Sequence, residues 1–389
     1  MILSNPIDQH GLQSLFEDLL KDTDIEINGS RPWDVKVLDN AFYSRVFRQG
    51  SLGLGESYMD GMWECEQIDE LISRVLRHDL EAHLDNKAKF KIGLNVAGAK
   101  LRDFVNPQSI NRAKEDVSSH YDLGNDLFQK MLDKRMTYTC GYWHHVETLD
   151  EAQEAKLDLI CRKAGLKPGM RVLDIGCGWG SFMNYAAEKY GVICDGITLS
   201  HEQAALGQQI ADDKRLPVSF VLQDYREYQP KEKYDRIISV GMIEHVGPSN
   251  YDEYFRCAKR MLKDDGLFVL HTIGGKESAD KTDPWIDKYI FPNGVCPSFV
   301  QLAQAVENKF VIEDVHNIGE SYDKTLVAWC ENFDNAWSEL AEKYGERFRR
   351  MWRYYLLSCA GAFRARNINV WQFVLSHENL SQPTYVRQI

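Results

Sequence analysis

The stretch Val172-Leu173-Asp174-Ile175-Gly176-Cys177-Gly178-Trp179-Gly180 decides the fold. An apolar run closed by one acid reads as a strand buried on both faces, and three glycines at every second position then lead into a helical pattern over 181–189. Glycine lets the backbone approach a ligand closely, and ligands of open α/β sheets sit at the carboxyl ends of the strands. Working outward, short apolar runs predict strands at 171–175, 192–198, 218–222, 234–240 and 267–272, with helical patterns between most of them. Strands separated by helix-length segments imply βαβ units and a parallel, doubly wound sheet. The runs 310–316 and 325–330 are expected to supply the final antiparallel strands, giving a seven-stranded Rossmann-like α/β domain.

The first ~105 residues differ, being short and irregular in pattern, with turn signals at Asn28-Gly29-Ser30 and over Gly50-Ser51-Leu52-Gly53-Leu54-Gly55. They are assigned to a smaller N-terminal domain (1–105). A polar stretch carrying Pro107 is the expected linker (106–117), and 118–389 the catalytic domain. A length of 389 residues fits two domains, because single cores tend to stop growing at roughly 250–300 residues. With 44% hydrophobic and 27% charged residues the chain is expected to be globular. No stretch approaches the ~18 apolar residues of a membrane span, and the N-terminus lacks the pattern of an export signal. Nine scattered cysteines without a CxxC pair suit a reducing cytoplasm, and neither they nor His144-His145 form a metal pattern. The net charge of −12 argues against a nucleic-acid protein, while leaving open an anionic membrane, where only the docking face need be basic.

The GxGxG spacing, with Asp174 two residues before the first glycine, resembles the first motif of class I methyltransferases. There the turn (Asp174, Gly176, Gly178, Gly180) meets the amino-acid moiety of S-adenosylmethionine. Such folds usually end the second strand with an acid for the ribose. None stands in Gly196-Ile197-Thr198-Leu199-Ser200, so Thr198, Leu199 and Gln203 are the expected substitutes, Gln203 offering both donor and acceptor. Asp224 and Tyr225, after the third strand, occupy the usual position for adenine contacts. The alternative is a Rossmann-like core that binds another nucleotide.

Four further segments narrow the reaction: His120-Tyr121-Asp122-Leu123-Gly124-Asn125, Tyr138-Thr139-Cys140-Gly141-Tyr142-Trp143, Gly241-Met242-Ile243-Glu244-His245-Val246-Gly247 and Leu270-His271-Thr272-Ile273-Gly274. Together with the glycine turn they resemble the mycolic acid and cyclopropane fatty-acid synthases. The resemblance covers nearly the whole chain, and Gly50–Trp63 resembles the bacterial phospholipid branch in particular. It implies transfer of a methylene from S-adenosylmethionine to the cis double bond of a phospholipid acyl chain, with Tyr138 and Thr139 at the cofactor. Attack of an alkene on the sulfonium methyl leaves a carbocation, and ring closure needs a base. The family resemblance implies a bound bicarbonate in that role, held by Cys140, Glu244, His271 and Tyr322 with the main chain at Ile273. It places Cys359 as a lining residue. Taken singly, Cys140 reads equally as a small buried hydrophobe and His271 as a satisfied core histidine. Tyr138, Tyr142, Trp143, Trp329 and Phe333 suit either a cation-facing wall or plain core packing.

A soluble enzyme reaches such a chain only by docking on the bilayer. Lys87–Arg102 and Arg347–Tyr355 mix basic and apolar residues as membrane-surface helices do, although a solvated face packed on its own domain explains the second as well. The expectation is a homodimer in the cytoplasm, associated peripherally with the inner face of the membrane. Its rivals are a methyltransferase acting on a small amine or hydroxyl, and a lipid-binding module with a vestigial enzyme core.

Overall fold

The computed structural model describes residues 9–78, 124–378 and 380–383. The expectations for the linker 106–117, for Lys87–Arg102 and for His120–Leu123 fall outside these residues. The chain divides into two compact units, and the division is not linear. One unit gathers the N-terminal residues with Asp283–Ile290 and Asp334–Asn367. The other holds the residues up to Thr282, Phe291–Phe333 and those from Ile368 onward. The stretch 118–389, expected as one continuous catalytic domain, is therefore interrupted twice.

The second unit is built on a seven-stranded sheet: β1 (Arg171–Ile175), β2 (Ile193–Thr198), β3 (Val218–Leu222), β4 (Tyr234–Val240), β5 (Leu262–Gly275), β6 (Val311–Asn317) and β7 (Ile368–Ser376). Its order is β3-β2-β1-β4-β5-β7-β6, with β7 antiparallel to both neighbours and the five strands from β3 to β5 parallel. Alternation along each strand separates two cores. Leu173, Ile175, Ile237 and Leu270 face Tyr254, Phe255 and Phe310 on one side. Val172, Ile238, Val269 and Val374 face Leu157, Ile160 and Met183 on the other. Asp174 shares the face of Val172, which is covered by the helix Leu149–Lys163. That helix begins in a capping box, Thr148 accepting from Glu151 N–H while the Glu151 side chain reaches back to the amide of Thr148.

Two expectations about elements are corrected. Thr325–Cys330 is not a strand but part of the helix Glu320–Asn335. Its buried residues Tyr322, Thr325, Leu326, Trp329, Cys330 and Phe333 recur at helical spacing, and the β-branched, aromatic look of the short run masked that longer period. The strand actually supplied by the C-terminal region is β7, inserted between β5 and β6.

In the first unit the turn expected over Gly50–Gly55 is confined to Gly50, where φ is 58°, because Ser51–Met59 is helical. Gly55 is required for close packing, since a Cβ there would collide with the ring of Trp285. Trp63, Trp285 and Trp352 are fully buried, and Tyr58, Trp63, Trp285 and Tyr354 form a contiguous aromatic cluster. Glu56 is held there by Arg45, Lys288 and Tyr289. Burial alone would raise its carboxyl, but the three donors outweigh that and bring it down to about 2. The arginines of Arg347–Tyr355 are engaged inside this unit: Arg347 with Asp60, Arg350 with Glu64, Arg349 and Arg353 with Asp334. That stretch is thus a packed helix face rather than a free basic stripe. Among the described residues, no helix is long and apolar enough to cross a membrane.

Candidate active site

At the carboxyl ends of β1, β2, β3 and β4 the backbone opens into two adjoining cavities that share Gly176, Gly178, Gln203 and Gly241. The three glycines of the turn all have positive φ, at 81°, 54° and 78°. A Cβ at Gly176 would collide with Met242 and one at Gly180 with Phe220, whereas one at Gly178 would meet no atom within 4 Å. Gly178 is thus the point where the turn faces open space. Gly180 caps the following helix and does not line the cavity.

The first cavity, about 550 Å³, is polar at its base: Tyr138, Thr139, Lys156 and Asp174 line it with the glycine turn. Burial pushes the Asp174 carboxyl up to about 7, against the pull of Lys156, and its Oδ1 is sealed from water without a hydrogen-bond partner. The second, about 760 Å³, is lined by Thr198, Leu199, Asp224, Tyr225, Met242 and His245 among others. Thr198 donates to Gln203 Oε1 (3.3 Å), and Ser200 Oγ accepts from Gln203 N–H (3.2 Å), which fixes Gln203 beside the shared wall. Asp224 is clamped by both arms of Arg226, at 2.8 and 2.7 Å, so its carboxylate serves to fix the loop as well as to line the cavity.

Beside this cleft the residues expected to hold the base are drawn together by two elements. Ile273 N–H, on β5, donates to Glu244 Oε1 at 2.7 Å. The main-chain group expected to meet bicarbonate directly is thereby committed to Glu244, because a buried amide must find an acceptor. Glu244 Oε2 is buried and unpartnered, and burial pushes this carboxyl up to about 7. His271, two residues earlier on the same face of β5, is held well below its ordinary value by burial and by the cations Lys156 and Lys163, so it is neutral. Its Nδ1 lies 3.2 Å from Gln372 Nε2 on β7, and with the amide donating, the ring proton sits on Nε2.

The helix Glu320–Asn335 positions the rest. Its Thr325 Oγ1 accepts from Gly141 N–H (3.0 Å) and Trp143 Nε1–H (2.9 Å), and Ser321 Oγ accepts from Trp143 N–H. This ties Tyr138–Trp143 to the helix that carries Tyr322. Trp329 packs between Tyr138, tilted against it at 5.1 Å, and Tyr322, edge-on at 5.9 Å. Cys140 is fully buried, its thiol raised far above the ordinary range by burial, with Ile318 O 3.9 Å from Sγ. Ile318 N–H donates to Val370 O, and Val370 pairs with Ile273, so Cys140 and the Glu244–Ile273 pair are joined through β7. Cys359 belongs to the first unit, on the helix Trp337–Arg364, half-buried, with burial pushing its thiol up to about 12.

Lys156, Met136 and Gly241 line the cleft but were not among the expected site residues. For Lys156 the signal was present: Gln153, Lys156 and Lys163 fall on the buried face of an otherwise amphipathic helix.

Residues 108–373 match the family model of mycolic acid cyclopropane synthetases. The cyclopropane-fatty-acyl-phospholipid synthase of Escherichia coli is 54% identical over 359 residues, 92% of either chain. The solved cyclopropane synthase MmaA2 of Mycobacterium tuberculosis superposes with a TM-score of 0.63 at 35% identity, over 67% of this chain and 97% of its own. The mycolic acid cyclopropane synthase CmaA1, solved with SAH and CTAB, gives 0.62 at 37% identity over the same shares. The sheet order and these neighbours establish a class I methyltransferase fold, and the chain belongs to the mycolic acid cyclopropane synthetase family.

Proposed function

We propose that this chain transfers a methylene from S-adenosylmethionine to the cis double bond of unsaturated phospholipid acyl chains, forming cyclopropane rings. The observation that carries the reading is the buried, half-satisfied Glu244 carboxyl bound to Ile273 beside a glycine-lined cleft, a feature that simple methyl transfer to an amine does not need. The relative named for fatty-acyl phospholipid, alike over 92% of both chains, supports the substrate class.

The residues present fit the cofactor. Gly178 faces open space, Asp174 offers an orphaned carboxylate oxygen, and the second cavity is the more apolar end suited to an adenosine. Tyr138, Thr139, Asp174, Gly176 and Gly178 would hold the amino-acid end, and Thr198, Leu199, Gln203 and Tyr225 the nucleoside. S-adenosylmethionine supplies an electrophilic sulfonium methyl when bound. The fully buried ring of Trp329 excludes water, and it and the half-buried Tyr138 offer aromatic surface to positive charge.

The donor set beside the cleft also fits a small oxyanion. Glu244 near neutrality can present a proton from Oε2, neutral His271 donates from Nε2, and Tyr322 adds a hydroxyl. These residues and Cys140 would hold bicarbonate, which would supply the base for a proton on the transferred methyl; Glu244 is fixed for that task by its bond to Ile273, and His271 by Gln372.

The proposal extends to a homodimer that docks peripherally on the inner face of a membrane. Incubation with S-adenosylmethionine and liposomes of monounsaturated phospholipid tests it: acyl chains gaining a CH2 unit and becoming resistant to ozonolysis are expected. Release of S-adenosylhomocysteine only with small amines, and none with liposomes, would overturn it.

A further inference from the structure

Among the described residues, Lys156 is a cation with an unusual address. It is 1% exposed and lines the polar cavity beside Asp174, itself 3% exposed. Its Nζ donates to Thr139 Oγ1 at 2.8 Å and has no carboxylate within ion-pair distance among the described residues. Asp174 has a buried Oδ1 without a partner in the same cavity. A buried charge without a close counter-ion costs several kcal/mol, so opposite charges left in this state at one cavity point to a ligand that neutralises both. An α-amino acid zwitterion does so, because its anion and cation are separated by a single carbon. Thr139 strengthens the case. Its Oγ1 accepts from Lys156, which leaves its own proton to donate, so Lys156 and Thr139 form adjoining donors for the two oxygens of a carboxylate.

We propose that Lys156 is a cofactor-binding residue whose ammonium, with the Thr139 hydroxyl, takes the α-carboxylate of the methionine end of S-adenosylmethionine, while Asp174 takes its α-ammonium. The proposal rests on the cofactor reading above. It gives the cleft a selectivity that the glycine turn alone does not supply: recognition of the carboxylate itself. It also offsets a charge problem, since a lysine near a sulfonium is repulsive unless an anion stands between them.

Calorimetry on the full chain with S-adenosylhomocysteine and with its decarboxylated analogue tests this. The wild type is expected to prefer the carboxylate-bearing ligand by about 10- to 100-fold, the worth of a charge-assisted hydrogen bond. Lys156→Gln should lose most of that preference while holding the analogue within about threefold of wild type, and Lys156→Arg should retain part of it. A purely structural lysine would weaken both ligands alike, and that result overturns the proposal. Should Lys156→Gln fail to fold, the wild type alone decides. Burial draws Lys156 down to about 8 against the opposing pull of Asp133, Cys140 and Asp174, so the preference should fall as pH rises through that value. A preference unchanged between about pH 6.5 and 9.5 overturns it. No binding of S-adenosylhomocysteine by the wild type would remove the cofactor reading and this proposal together, whereas binding without carboxylate preference removes only the proposal.

Discussion

A carboxyl sealed from water holds its proton into the neutral range, and Glu244 and Asp174 both do so here, at about 7. Their raised values stabilise the fold fully below the ordinary carboxylate range, and that contribution is lost as pH rises through 7. His245 and His271, held neutral by burial, act with the opposite sign over the lower part of this window, so the expected signal is a difference: the melting temperature of the unliganded wild type should fall relative to that of Glu244→Gln between about pH 4.5 and 7.5, and a constant difference would show that Glu244 is not buried as described. The same variant is expected to keep S-adenosylhomocysteine affinity within about threefold while turnover drops about 100-fold or more, because the change touches the base site and not the cleft. Turnover and affinity falling together would contradict that separation. At Gly178, where φ is 54° and a Cβ points into open space, Gly178→Val should remove cofactor binding beyond about 100-fold. Unchanged affinity in a folded variant would move the cofactor elsewhere.

At the scale of elements, the parallel strands were legible because each is a short apolar run ending near a glycine or an acid. The bounds expected for β1, β3 and β4 coincide with those observed. The run 310–316 is also a strand, as expected, and what failed was the last strand of the sheet. Thr325–Cys330 is six residues long, too short for a periodicity to declare itself, and only its flanks Tyr322 and Phe333 reveal the helix. The site follows the same division. Asp174, Gly178 and Gln203 sit in local motifs and could be read directly, whereas Lys156 belongs to no motif, and its place in the cleft follows only from how the helix Leu149–Lys163 packs on the sheet. Thr325 is a third kind of residue, fully buried and serving two donors from another segment. Thr325→Val keeps the shape and strands both donors, so a loss of about 2–4 kcal/mol is expected, with turnover falling as the Tyr138–Trp143 segment loosens. Denaturant unfolding checks it, and a loss below about 0.5 kcal/mol would show that the segment is held by other contacts.

At the scale of the whole molecule, the chain order misleads about which parts fold together. The N-terminal unit is completed by Asp283–Ile290 and Asp334–Asn367, which supply Trp285 and Tyr354 to its aromatic cluster and Lys288 to Glu56. A chain beginning near Asn111 would leave these aromatics without Tyr58 and Trp63, and is expected to aggregate rather than survive as an isolated cofactor-binding domain. A monomeric, cooperatively melting truncation would contradict that reading.

Ring closure as proposed requires the transferred methyl to give up one proton and become a ring carbon. S-adenosylmethionine with a fully deuterated methyl, incubated with the protein and liposomes of monounsaturated phospholipid, tests this by mass analysis of the acyl chains. The expected product retains two of the three deuterons and has lost its double bond. A product that retains all three, as a methyl branch, would contradict ring closure.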